Sequence, residues 1–144
     1  MIGIKRILHP TDFSEVSRYA LPYALSFAKR FSAELSLLHV IELPYGALSQ
    51  ASEAIGTAEA KLCDLIPPDS SSGIEIVRIV KRGRPSSEIC STAEEIEADL
   101  IILATHGHSG LEQAILGSTA ERVVRRAPCP VLTVRIPGHG ADSA

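Results

Sequence analysis

Short apolar runs alternate along the chain with longer segments whose apolar residues recur at spacings of three and four, the marks of buried strands and of amphipathic helices. The first run, "IKRILHP" (4–10), closes on a proline that cannot donate to a ladder, so a strand is expected to end at His9 or Pro10. Over 14–32, Val16, Ala20, Tyr23, Ala24, Phe27, Ala28 and Phe31 mark the apolar face of a helix, in which Pro22 implies a kink or a lost hydrogen bond. A second strand is expected over 33–42 and a second helix over 47–66, stopped by "PPDSSSG". Residues 74–83 alternate and end in glycine, which suits a third strand, and Pro85 opens a helix over 85–98 carried by Ile89, Ala93 and Ile96. The uninterrupted run "DLIILAT" (99–105) fits a central parallel strand covered on both faces. A helix over 118–127 and a strand over 129–136 complete the pattern.

Strand and helix in strict alternation predict an α/β fold, an open and mostly parallel sheet with helices on both faces. In such a sheet ligands bind beyond the carboxyl ends of the strands, where strand order reverses. Two strand ends therefore matter most, "HPTD" and "ATHG".

The 144 residues suit one domain, expected over 1–137, with 138–144 a flexible tail. Aromatic residues make up only 4% and Trp is absent, so the core must be built from Ala, Val, Ile and Leu. A net charge of -3 gives no chain-wide basic field, which argues against a nucleic-acid partner; Arg122, Arg125 and Arg126 form a local exception. Cys63, Cys90 and Cys129 lie far apart without a CxxC spacing, so buried, reduced thiols are expected rather than a disulfide or zinc framework. No apolar run approaches the roughly 20 residues that span a bilayer, and the N-terminus carries no secretory h-region. A cytoplasmic protein without a membrane partner is the expectation.

The stretch "ATHGHSGLEQAILGSTAERV" (104–123) concentrates the candidate chemistry. Gly107, Gly110 and Gly117, followed by Ser118 and Thr119 at a helix start, can cradle phosphate with backbone amides and hydroxyls, aided by the helix dipole. The competing reading is structural: Ser118-x-x-Glu121 is a capping box that would consume some of those amides. His106 and His108 form an HxH pair that could chelate only with a third ligand, for which His9 and Asp12 are the candidates, and no metal site is expected. Asp12, at the end of the first strand, can accept from a ligand hydroxyl or amine, or can cap the first helix through Asp12-x-x-Glu15.

Three segments, "ILHPTDFSEVSRYALPYALSFAKRFSAELSLLHVIE", "GRPSSEICSTAEEIEADLIILATHG" and "GSTAERVVRRAPCPVLTVR", resemble the universal stress protein family in order and over nearly the whole chain. The nucleotide-binding branch of that family carries G-x2-G-x9-G-S/T; the chain reads Ala104-x2-Gly107-x9-Gly117-Ser118, with alanine in place of the first glycine. The resemblance implies a five-stranded parallel sheet of order 3-2-1-4-5 between helices, Rossmann-like and similar to the adenine nucleotide alpha hydrolases. It implies ATP, with or without Mg2+, as ligand. Pro10, Thr11 and Asp12 would line the adenosine side, Val40 would pack on adenine, and Ala104 would lie beside the ribose. Gly107, Gly117, Ser118 and Thr119 would hold the phosphates. A homodimer through the last strand (129–136) is implied as well.

The function expected is thus an ATP-binding stress or signalling module in which nucleotide occupancy modulates partner binding, with no catalytic residues assigned. Two alternatives stand beside it: a slow ATP hydrolase or nucleotidyl-transfer enzyme on the same fold, and a nucleotide-free dimeric interaction module.

Overall fold

The structure, a computed structural model, describes residues 2–42, 50–106 and 117–136. The expected tail, Gly107, Gly110 and His108 lie outside the described residues. Five strands, β1 (Arg6–Pro10), β2 (Glu34–Ile41), β3 (Ile76–Arg82), β4 (Leu100–His106) and β5 (Val131–Ile136), alternate with helices α1 (Glu15–Phe31), α2 (Ala51–Leu65), α3 (Pro85–Glu95) and α4 (Ser118–Arg126). All strand pairs are parallel, and their order is β3-β2-β1-β4-β5.

The apolar runs are buried on both faces because successive side chains point to opposite sides. Ile7, Leu35, Leu37 and Ile102 pack on one face with Ala20, Leu21, Ala24 and Ala28 of α1 and Leu62 of α2. Leu8, Leu38, Ile101 and Leu103 pack on the other with Ile89 and Ala93 of α3 and Val123 of α4. Each fully buried leucine or isoleucine contributes about 1.5–3 kcal/mol relative to exposure.

Helix α1 differs from its expected apolar face at two positions. Tyr23 and Phe31 are each 44% exposed, because three alanines spaced by four residues already fill the contact line and hold the helix close to the sheet. The helix runs through the exposed Pro22, where the N–H that would reach back to Arg18 is missing. It ends at Ser32 in the left-handed region, φ 53°. The cysteines are not buried either. Cys63 is exposed because its neighbour Leu62 takes the inward position on α2, and Cys90 and Cys129 sit half-buried at the edge of the second core cluster. Among the described residues no helix is long and apolar enough to cross a membrane.

Candidate nucleotide-binding cleft

Strand order reverses between β1 and β4, and there the sheet opens. Pairing between the two strands is limited to Ile7↔Leu100 and Leu8↔Ile101, whereas β1 stays in register with β2 as far as Pro10↔Leu38. Proline supplies no N–H to carry a ladder onward. The chain instead leans toward β2, where the Thr11 amide donates to the Leu38 carbonyl at 2.8 Å.

The turn that follows is tied by short-range bonds. The Thr11 hydroxyl oxygen accepts from the Phe13 amide at 3.0 Å and lies 3.0 Å from the Ser17 hydroxyl. Asp12 Oδ1 accepts from the Ser14 amide at 2.9 Å and from the Ser17 hydroxyl at 2.8 Å. These bonds hold Phe13 at φ 65°, a left-handed conformation that a bulky side chain rarely takes. On the far side His39 Nδ1 lies 2.8 Å from the Thr11 carbonyl oxygen, and its ring packs on Phe13 at a centroid distance of 4.5 Å. Partial burial is the largest single influence on Asp12 and raises its affinity for a proton. The hydrogen bonds from the Ser14 hydroxyl and amide, the Ser17 hydroxyl and its own amide together outweigh it and hold the carboxyl below its ordinary value.

Both expected capping boxes are absent. Helix α1 is capped by Ser14, whose side chain accepts from the Ser17 amide, so Asp12 stands two residues before the cap and closes an Asx turn onto Ser14. Helix α4 has Gly117 at its N-cap, with no side-chain cap; Ser118 is already the first helical residue, and Glu121 pairs with Arg125 at 2.9 Å instead of reaching back. The first backbone bond of the helix joins the Glu121 amide to the Gly117 carbonyl at 2.9 Å. The amides of Ser118, Thr119 and Ala120 therefore precede the ladder, in the position that receives anions at helix N-termini. Gly117 itself is extended, with φ -60° and ψ 157°, so its value here is the absence of a side chain rather than an unusual backbone.

Between these two features lies a cavity of about 640 Å³, within the range of small-molecule sites. Of the sequence-derived site residues, Pro10, Thr11, Asp12, Val40, Ala104, Gly117 and Thr119 line it. Ser118 does not, and Gly107 lies outside the described residues. The wall also takes in Ser14, Val16 and Ser17 from the start of α1, Glu42 after β2, and Pro85 and Ile89 from α3. None of these was a site residue on the sequence pattern: Val16 and Ile89 read as helix-face residues, and Pro85 as the first residue of a helix that begins at a strand's carboxyl end.

The wall is apolar at Pro10, Leu38, Val40, Pro85 and Ile89, a lining that suits a flat aromatic base, and polar at Asp12, Ser14, Ser17 and Thr119. The groups present fit an adenine nucleotide: an apolar wall, a fixed carboxylate acceptor and first-turn amides of α4 that lie ahead of the helix ladder. His9, a candidate third ligand for the HxH pair, is wholly enclosed in the core with Nδ1 bonded to the Ile102 carbonyl.

An open parallel sheet of order 3-2-1-4-5 with a cleft at its reversal point defines a doubly wound α/β class that receives ligands beyond the strands' carboxyl ends. The chain belongs to the universal stress protein family, whose family model matches residues 3–135. The universal stress protein MJ0531 of Methanocaldococcus jannaschii is 36% identical over 92% of this chain and 83% of its own length. The solved structure of MJ0577, from the same organism, is 30% identical with a TM-score of 0.73, covering 94% of this chain and 99% of that one. UspA of Lactobacillus plantarum, 26% identical, superimposes with a TM-score of 0.72 over 94% of this chain and all (100%) of its own.

Proposed function

We propose that the chain is an adenine-nucleotide-binding universal stress protein of the cytoplasm that takes ATP, accompanied by Mg2+, in the cleft between β1 and β4. The observation that carries this reading is the pairing of the Asp12 turn with the uncapped first turn of α4 across one cavity. In this reading Val40 and the adjoining apolar wall receive adenine, while Asp12 accepts from the ribose or base. Ala104 lies beside the ribose, and Gly107, Gly117, Ser118 and Thr119 receive the phosphates. Pro10 and Thr11 shape the floor of the adenosine end. Alanine in place of the first signature glycine is compatible with the site, since Ala104 already sits in β4 as a cavity-wall residue with its methyl packed toward the α1 face.

A homodimer through β5 belongs to the same proposal. Val131–Ile136 is an edge strand paired only with β4 among the described residues, and an apolar edge gains by being covered. Nucleotide would then act as a signal, binding one arrangement of the dimer or of a partner surface more tightly than another. The test is direct. The purified protein is denatured and the extract assayed for ATP or ADP, and its melting is followed with Mg-ATP added. Released nucleotide or a thermal upshift is expected; the absence of both sinks the reading. Multiple turnover at about 1 per second or faster would place catalysis ahead of binding.

A further inference from the structure

The β1–α1 turn grips Asp12 by one oxygen. The Ser14 amide donates to Oδ1 at 2.9 Å and the Ser17 hydroxyl at 2.8 Å, so the carboxylate is fixed in rotation and presents its other oxygen in a set direction. At neutral pH Asp12 is ionised and only accepts. The single Ser17 proton therefore goes to this charged acceptor rather than to the Ser14 carbonyl 3.1 Å away. Thr11 stands behind. Its hydroxyl oxygen accepts from the Phe13 amide at 3.0 Å and lies 3.0 Å from the Ser17 oxygen; an amide N–H cannot accept, so the Thr11 proton points to Ser17. The result is a directed chain, Thr11 O–H to Ser17 O–H to Asp12 Oδ1, that starts at a buried residue and ends on the cavity wall. The bonds from Ser14 are local and move with the turn. The Ser17 bond is the one that ties the carboxylate to the body of α1.

We propose that Ser17 is a positioning residue of the cleft: its hydroxyl, backed by Thr11, locks the Asp12 carboxylate in the orientation that receives the ligand. Without that hydroxyl Oδ1 keeps only its bonds within the turn, and the buried Thr11 proton loses its acceptor. The affinity side of this inference rests on the cleft being a nucleotide site; the geometric side does not.

The experiment compares the native full chain with Ser17→Ala and with Ser17→Thr, which keeps a hydroxyl. Two quantities are read at neutral pH and far below the melting temperature, where lost stability alone moves neither: the Asp12 side-chain rotamer, from three-bond NMR couplings, and the affinity for Mg-ATP, from calorimetry. The native chain is expected to hold one Asp12 rotamer and Ser17→Ala to average several. Ser17→Ala is also expected to weaken Mg-ATP about threefold or more, the scale of one partly solvated hydrogen bond, while Ser17→Thr keeps the rotamer and stays within about twofold in affinity. A single Asp12 rotamer in Ser17→Ala overturns the proposal, as does averaging with affinity unchanged, or equal losses in the alanine and threonine variants. If the native chain binds no Mg-ATP, the nucleotide reading of the cleft fails, and the Asp12 rotamer alone then decides whether Ser17 holds the carboxylate.

Discussion

His9 Nδ1 in β1 lies 2.9 Å from the carbonyl oxygen of Ile102 in β4, across the gap where the two strands have stopped pairing. A carbonyl only accepts, so Nδ1 carries the proton, and Nε2 is a buried lone pair without a partner among the described residues. Burial holds the imidazole below its ordinary value, against a smaller opposing pull from the Ile102 carbonyl.

Stability should therefore fall on acidification. Above 6.5, the value for a free histidine, the ring is neutral in both the folded and unfolded chains, and pH has no effect through it. Below 6.5 the unfolded chain takes up a proton that the fold resists, so stability drops as pH falls toward the lowered folded value. The slope for one proton is at most about 1.4 kcal/mol per pH unit. Denaturant titrations from pH 7 to 5 on the native chain and on His9→Gln, which keeps a donor for Ile102, should differ by this component; parallel curves would remove His9 from the account.

Asp12→Ala is expected to reduce stability and nucleotide affinity together. The loss of two hydrogen bonds at the mouth of α1 should cost about 1 kcal/mol at this partly solvated position. With its folded value held below 3.8, the carboxylate stabilises the fold above 3.8, and that contribution disappears as pH falls through the folded value. Reduced stability with unchanged affinity would make Asp12 purely a turn residue.

Gly117→Val separates the site from the scaffold. Among the described residues a Cβ at Gly117 meets nothing within 4 Å, and its backbone is one that valine adopts freely, so melting should shift by no more than about 2 °C. The added side chain projects from a residue of the cavity wall, and nucleotide affinity should fall at least tenfold. A variant that binds normally would show that phosphate does not approach the α4 start.

Ser32→Gly tests the scaffold alone. Ser32 caps α1 at φ 53° with its side chain exposed, and glycine takes that conformation without the Cβ penalty. A gain of about 0.5–1 kcal/mol in chemical denaturation is expected; no gain would mean that the serine side chain compensates in the folded state.

The strands and helices were legible in the sequence because the core runs are nearly pure: Ile7 and Leu8, or Ile101 and Ile102, must be covered on opposite faces whatever lies around them. The helix starts were not. Asp12-x-x-Glu15 and Ser118-x-x-Glu121 satisfy a local capping pattern, yet the helices take their N-caps at Ser14 and Gly117. Spacing alone cannot choose between offsets of one or two residues. The cleft was half legible for a related reason. Residues at the ends of β1 and β4 announce themselves by topology, whereas Pro85 and Ile89 reach the same cavity from α3 only through the folding of the sheet. Ser17 shows no signal at all, since a serine in a first turn is unremarkable until its hydroxyl is found on Asp12.

The short seam between β1 and β4 also has a mechanical side. At its lower end it is clamped, with Asp99 Oδ2 accepting from the amides of Lys5 and Arg6 at 2.8 and 3.0 Å; two residue pairs later it is open. The sheet thus divides into two ribbons, β3-β2-β1 and β4-β5, joined below by the Asp99 clamp and two residue pairs, above them by the His9–Ile102 bond alone, and splinted by α1, which packs on strands of both.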